Sequence, residues 1–186
     1  HGEGVEADIQ RALELYRLSA EQGDPAGQCN LGFLYETGQG VEKNLEEAAY
    51  WYETAAKAGY SRAQCNFGVC CEFGYGVAKD PAKAAFLYRK AAEQGDAIAA
   101  CNLGYLYETG VGVTQSWEDA VYWYERSSEK REARAYYHLA WCVEYGKGTE
   151  LSKERALPIT TRSITSRSKP IVVKWSSIKS SISSVA

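Results

Sequence analysis

Apolar residues in this chain recur at helical spacing in short blocks. Leu31, Leu34 and Tyr35 stand at i, i+3 and i+4, and Leu103, Leu106 and Tyr107 repeat that spacing, which marks one face of an amphipathic helix. Each block runs into a Gly-x-Gly (Gly38/Gly40, Gly74/Gly76, Gly110/Gly112, Gly146/Gly148), where glycine supplies the positive φ that closes a helix. Polar residues such as Asp80 then precede a second block, with Pro81 suited to its first turn. In that block Ala48, Trp51, Tyr52, Ala55 and Ala56 form a stripe of small and aromatic residues. The small residues admit a neighbouring helix and the aromatics fill the remaining volume, so the stripe is expected in the core. A glycine step at Gly23, Gly59 or Gly95 turns the chain onward.

The blocks are copies of one another. The string CNLGFLYETGQGV begins at Cys29, CNFGVCCEFGYGV at Cys65, CNLGYLYETGVGV at Cys101 and YHLAWCVEYGKGT at Tyr137, each 36 residues after the last. The second halves, EEAAYWYETAAKAG, AKAAFLYRKAAEQG and EDAVYWYERSSEKR, keep the same interval, and IQRALELYRLSAEQG precedes them. HGEGV at His1 aligns with TGQGV at Thr37, so the chain is expected to begin in mid-repeat and reads as a fragment, without a signal peptide. One helix pair cannot bury its own apolar face, but stacked pairs can, giving an all-α superhelical solenoid.

The pattern LGxLYExGxGV followed by A..WY..AAE.G resembles the Sel-1-like repeat, a 36-residue relative of the tetratricopeptide repeat. The resemblance covers about residues 1–156, as a partial unit 1–28, full units 29–64, 65–100 and 101–136, and a partial unit 137–156. It implies a right-handed α/α solenoid of helix-turn-helix repeats serving as an adaptor in protein complexes, and it implies no chemistry. A bacterial branch of that family joins the two helices of a unit by a disulfide. Ala56, Ala92 and Ser128 stand near the position that the second cysteine would need.

Residues 157–186 break the pattern. Pro158 falls where Tyr50, Phe86 and Tyr122 stand in the other units, and proline inside a helix costs about 3 kcal/mol or more. This basic, Ser-rich tail is expected to be a disordered extension, a strand-forming addition or non-native sequence after a frame change, with the first and last favoured. If it packs on the last unit, Ile171, Val173 and Trp175 are its expected contacts. The tail also sets the charge balance. The net charge is −3, but Arg155 to Ala186 carry six basic and no acidic residues, which leaves −9 on the first 154. So acidic a body is a poor partner for nucleic acid. No run of 18 apolar residues suits a membrane span.

Candidate chemistry is thin. Cys29, Cys65 and Cys101 are equivalent positions in stacked units about 9–10 Å apart, while disulfide Cα atoms lie within about 7 Å; small apolar filler is the expected role. Cys70 and Cys71 point about 100° apart on a helix and His138 is two units away, so no zinc site is expected. Ser127–Lys130 spells Ser-x-x-Lys, as do Ser166–Lys169 and Ser176–Lys179, but the accompanying S-D-N and K-T-G strings are missing. Neither catalysis nor any cofactor is expected. The G-x-G turns lack the lysine and strand context of a phosphate loop.

By analogy with the tetratricopeptide architecture, the first helix of each unit is expected to line a concave face. Three ladders of candidate partner-binding residues follow. Asn30, Asn66, Asn102 and His138 can clamp a peptide backbone or bond across units. Phe33, Val69, Tyr105 and Trp141 can form interaction pockets or pack between units. Glu36, Glu72, Glu108 and Glu144 can attract a basic peptide or sit as solvated helix ends. The expected function is a non-catalytic scaffold holding a protein or peptide segment, with no nucleic acid and no membrane. A regulatory segment of a larger enzyme, and a secreted or periplasmic cysteine-containing protein with a redox or drug-binding role, are the alternatives.

Overall fold

A computed structural model describes residues 2–149 of the chain, and of residues 2–7 the helical backbone alone. The tail contacts expected at Ile171, Val173 and Trp175 lie outside the described residues. Eight α-helices are described: α1 (Gly2–Glu21), α2 (Pro25–Thr37), α3 (Leu45–Lys57), α4 (Ser61–Phe73), α5 (Pro81–Glu93), α6 (Ala97–Thr109), α7 (Trp117–Glu129) and α8 (Ala133–Tyr145). Each packs antiparallel-hairpin fashion on the next, α2 on α3, α4 on α5 and α6 on α7, and each second helix packs on the following first helix. The result is a solenoid of helix pairs on a 36-residue beat, with no strand among the described residues. The repeated CNLG string lies inside the first helix, four residues after its start at Pro25, Ser61 or Ala97.

Local chemistry sets the boundaries. Asp24, Asn44, Asp80, Asp96 and Ser116 cap the helices that follow them, accepting from the backbone N–H groups of Gly27, Glu47, Lys83, Ala99 and Asp119 at 2.9–3.2 Å, each worth about 1 kcal/mol. Gly38, at φ 71°, ends α2 and its N–H bonds the Leu34 carbonyl at 2.8 Å. The second glycine of the turn has a different task. A Cβ on Gly76 would run into the Leu45 carbonyl, and one on Gly112 into Pro81. The turn therefore lies directly on the start of the preceding unit's second helix, and only glycine lets the units close up.

One boundary differs from expectation. Gly2 and Gly4 belong to α1, although their register with Gly38 and Gly40 implies a turn. In later units a first helix holds that loop, as where Asn44 N–H bonds the Tyr35 carbonyl at 2.9 Å. No such helix precedes residue 2 among the described residues.

The core is a column of alanines, cysteines and tyrosines. Tyr52, Tyr88 and Tyr124 are at most 1% exposed, as the small-plus-aromatic stripe requires. Each ring lies across a glycine of its partner helix: a Cβ on Gly32, Gly68 or Gly104 would come within 2.9 Å of the ring of Tyr52, Tyr88 or Tyr124. Glycine inside a helix costs about 1 kcal/mol against alanine, and here it makes room for a large ring.

Candidate interaction groove

Residues of α4, α6 and α8 converge on one cavity of ≈ 420 Å³, which Tyr88 of α5 also lines. Val69, Phe73 and Tyr105 give it apolar surface, and Asn102, Arg134 and His138 give it polar groups. Phe73 and Tyr105 are half exposed, at 54% and 45%. Five expected partner-binding residues, Val69, Glu72, Asn102, Tyr105 and His138, line this cavity together. Asn30, Phe33, Glu36, Asn66, Glu108, Trp141 and Glu144 are outside its lining.

The amide ladder reaches between units. Asn66 Nδ2 donates to Cys29 Sγ at 3.8 Å. Asn102 Oδ1 accepts from Arg134 Nη1 at 3.3 Å. At the fourth rung His138 Nδ1 lies 3.0 Å from Glu108 Oε2, its ring stacked on Tyr124 at 4.7 Å. Asn30, Asn66, Asn102 and His138 are all half-buried.

The aromatic ladder is uneven. Phe33 and Tyr105 are exposed and Val69 is half-buried. Trp141 is half-buried, stacked on Trp117 at 5.5 Å and tilted against Tyr145 at 5.0 Å.

The carboxylate ladder departs most from the expected exposed row. Tyr52 Oη donates to Glu36 at 2.5 Å, Tyr88 Oη to Glu72 at 2.7 Å, and Tyr124 Oη to Glu108 at 2.5 Å. Glu36 and Glu108 are half-buried and Glu72 is buried; Glu144 alone is exposed. The correction has a simple cause. A phenol buried in the core needs an acceptor, and the glutamate on the facing helix supplies it. Burial first, and then the glutamate bond, push all three phenols well above the usual tyrosine range. Burial also acts to raise the Glu108 carboxyl, but hydrogen bonds from His138 and Tyr124 outweigh it and hold the group below the ordinary glutamate value.

The glycine, glutamate and tyrosine keep a fixed spacing in the three full units, as Gly32/Glu36/Tyr52, Gly68/Glu72/Tyr88 and Gly104/Glu108/Tyr124, but spacing alone does not show that they meet. Arg134 was not among the expected residues; its counterparts are Ile98 one repeat earlier and Arg62 two repeats earlier, so nothing in the periodicity marks it.

The Ser166–Lys169 and Ser176–Lys179 strings lie outside the described residues, whereas the cysteines and Ser127 have defined places. All six cysteines are buried. Burial pushes the thiols of Cys65, Cys70 and Cys142 up to about 12, and those of Cys29 and Cys101 to about 11. Ser127 is fully buried, and its hydroxyl donates to the Ala97 carbonyl at 2.7 Å, so it ties α7 to α6. Among the described residues no group of His, Cys, Asp and Glu could hold a metal ion, and no helix is long and apolar enough to cross a membrane.

These features define a helical-repeat solenoid. The Sel1 repeat model matches residues 1–24, 25–60, 61–96, 97–131 and 133–157, and the chain belongs to the Sel1 repeat family. Similar solved structures include c5321, a protective antigen of uropathogenic Escherichia coli displaying an SLR fold, at 33% identity and a TM-score of 0.81 over 87% of this chain and 35% of that one. A Sel1 repeat protein of Oxalobacter formigenes is 34% identical, with a TM-score of 0.73 over 86% of this chain and 68% of that one. Cysteine rich protein B of Helicobacter pylori shares the fold at 24% identity and a TM-score of 0.55, over 73% and 97% of the two chains. The chain thus spans about a third of the first of these proteins. Comparison with curated proteins found no match. Sel1-repeat proteins in general mediate protein–protein interactions, and they are typically non-catalytic scaffolds.

Proposed function

We propose that this chain is a non-catalytic scaffold whose groove holds an extended peptide segment of a partner protein at the α4/α6/α8 cavity. The observation that carries this reading is the composition of that cavity. Half-exposed Phe73 and Tyr105 offer apolar contact beside Asn102, Arg134 and His138, the mixture of aromatic anchors and convergent polar groups that interaction hot spots use. Asn102 would meet the peptide backbone and Tyr105 an apolar side chain. The net charge of −9 over the first 154 residues favours a peptide of net positive charge. The buried thiols support a filler role for the cysteines rather than a redox one.

The test is selection of binders from a random-peptide phage library on the whole chain, followed by affinity measurement on Asn102→Ala/Tyr105→Ala. The reading expects recovered peptides to be net basic and to lose at least about tenfold in affinity with the melting temperature unchanged. Equal binding by the folded variant would contradict it.

A further inference from the structure

The second helices carry a cavity of opposite character. It lies between α3, α4 and α5 and measures ≈ 310 Å³. Phe67 and Leu87, both buried, line it beside Lys57, Lys83 and Lys90. Lys83 Nζ stands 4.7 Å from the centre of the Phe67 ring, and Lys90 Nζ 5.2 Å from that of Phe86, which is 58% exposed. Glu53 is the one carboxylate in the lining. It receives both Lys57, at 3.3 Å, and Lys83, at 3.2 Å. Lys90 has no carboxylate partner among the described residues. The rim therefore holds three ammonium groups against one carboxylate, on a body whose first 154 residues sum to −9.

The repeat supplies its own control. Lys57 occupies the position held by Glu21, Glu93 and Glu129 in the other units, and Lys83 the position of Glu47 and Asp119 in the flanking ones. All of these positions lie on the same helical framework, so the fold accepts acids there. The pairing of Lys57 with Lys83 belongs to this junction alone, while position 90 is Thr54 in the preceding unit and Arg126 in the following one.

We infer that this cavity docks an acidic peptide segment of a partner protein, with an apolar side chain set between carboxylates. The apolar side chain would cover the exposed ring of Phe86, above the buried Phe67 and Leu87. The flanking carboxylates would meet Lys57, Lys83 and Lys90, where charge-assisted bonds beside apolar surface are stronger than in open water. A bare phosphate would leave the apolar surface uncovered. The site is separate from the α4/α6/α8 groove and of opposite charge preference, so one chain could hold two different segments.

The probe is fluorescein-labelled Asp-Glu-Phe-Glu-Asp, with Asp-Glu-Ser-Glu-Asp and Lys-Lys-Phe-Lys-Lys as controls, followed by fluorescence anisotropy on the whole chain. The Phe-containing acidic peptide should bind tightest and weaken as salt rises. Lys57→Glu/Lys83→Glu should cost at least about tenfold in affinity at unchanged helicity, while Tyr105→Ala in the groove leaves it unchanged. Lys57→Gln/Lys83→Gln should also bind more weakly, and serves if the charge reversal does not fold. Unchanged affinity in a folded lysine variant overturns the proposal. Equal binding of the Ser peptide, or displacement of the Phe peptide by inorganic phosphate at ordinary buffer concentration, would do the same by showing a simple anion site. A lysine-dependent dimer in sedimentation velocity would assign the surface to a second copy of the chain instead.

Discussion

The Tyr88 hydroxyl donates to Glu72 at 2.7 Å from inside the core, joining the two helices of a unit through a carboxylate that is itself buried. Glu144, at the same position of the last described unit, is exposed. The two glutamates should therefore behave differently when removed. Glu72→Ala leaves a buried phenol without its acceptor and should cost about 1–3 kcal/mol. Glu144→Ala should stay within about 0.5 kcal/mol. Urea unfolding of the two variants checks this, and equal losses would contradict the assigned bond.

Arg131 adopts φ 65°, the single non-glycine residue with positive φ among the described residues. Gly23, Gly59 and Gly95 occupy the same turn in the other units, at φ 85°, 88° and 92°. A side chain in this region costs about 1 kcal/mol, partly offset by the freedom glycine adds to the unfolded chain. Arg131→Gly should raise stability by about 0.5 kcal/mol, read as a higher urea midpoint at unchanged slope. A lower midpoint would contradict the strain.

Much of this architecture was legible in the sequence, because the 36-residue beat fixes what each position faces. Gly38 and its equivalents announced the end of the first helix, and the Tyr52/Tyr88/Tyr124 register announced the core. The depth of Glu72 was not legible. Within its own helix it reads as a polar residue near the C-terminus, and its burial depends on a hydroxyl 16 residues away on a facing helix. The lysine cavity was hidden for a similar reason. Lys57 pairs with Glu53 along α3, but Lys83 reaches the same carboxylate across the junction of two units, a contact that periodicity within one helix does not encode. Arg134 likewise reaches the groove from the start of its own helix to the middle of its neighbour.

Buried thiols are nearly all protonated at neutral pH when burial pushes them up to about 12, as for Cys65, Cys70 and Cys142, and thiolate is the reactive form. The native chain should react with a disulfide reagent at pH 8 only at the rate of its own opening. Six thiols should titrate at once in denaturant. Rapid reaction of the native protein would contradict the burial.

Glu108 predicts a pH effect of defined sign. Its folded carboxyl lies below the ordinary value of 4.5, since the bonds from His138 and Tyr124 outweigh the opposing effect of burial. A depressed carboxyl adds stability that is fully present above the unfolded value and is lost as pH falls through the folded one. Thermal melts from pH 6 downward should show wild type losing more stability than Glu108→Gln once pH drops below about 4.5. Parallel curves would contradict the assignment.

The account rests on where a peptide sits, and site-specific photo-crosslinking measures that directly. Benzoylphenylalanine would replace Tyr105 in the groove or Tyr122, exposed on the second helix α7. Each protein would be illuminated with a peptide selected on the unmodified chain. The account predicts a crosslink from position 105 and none from position 122; a crosslink from position 122 alone would contradict it.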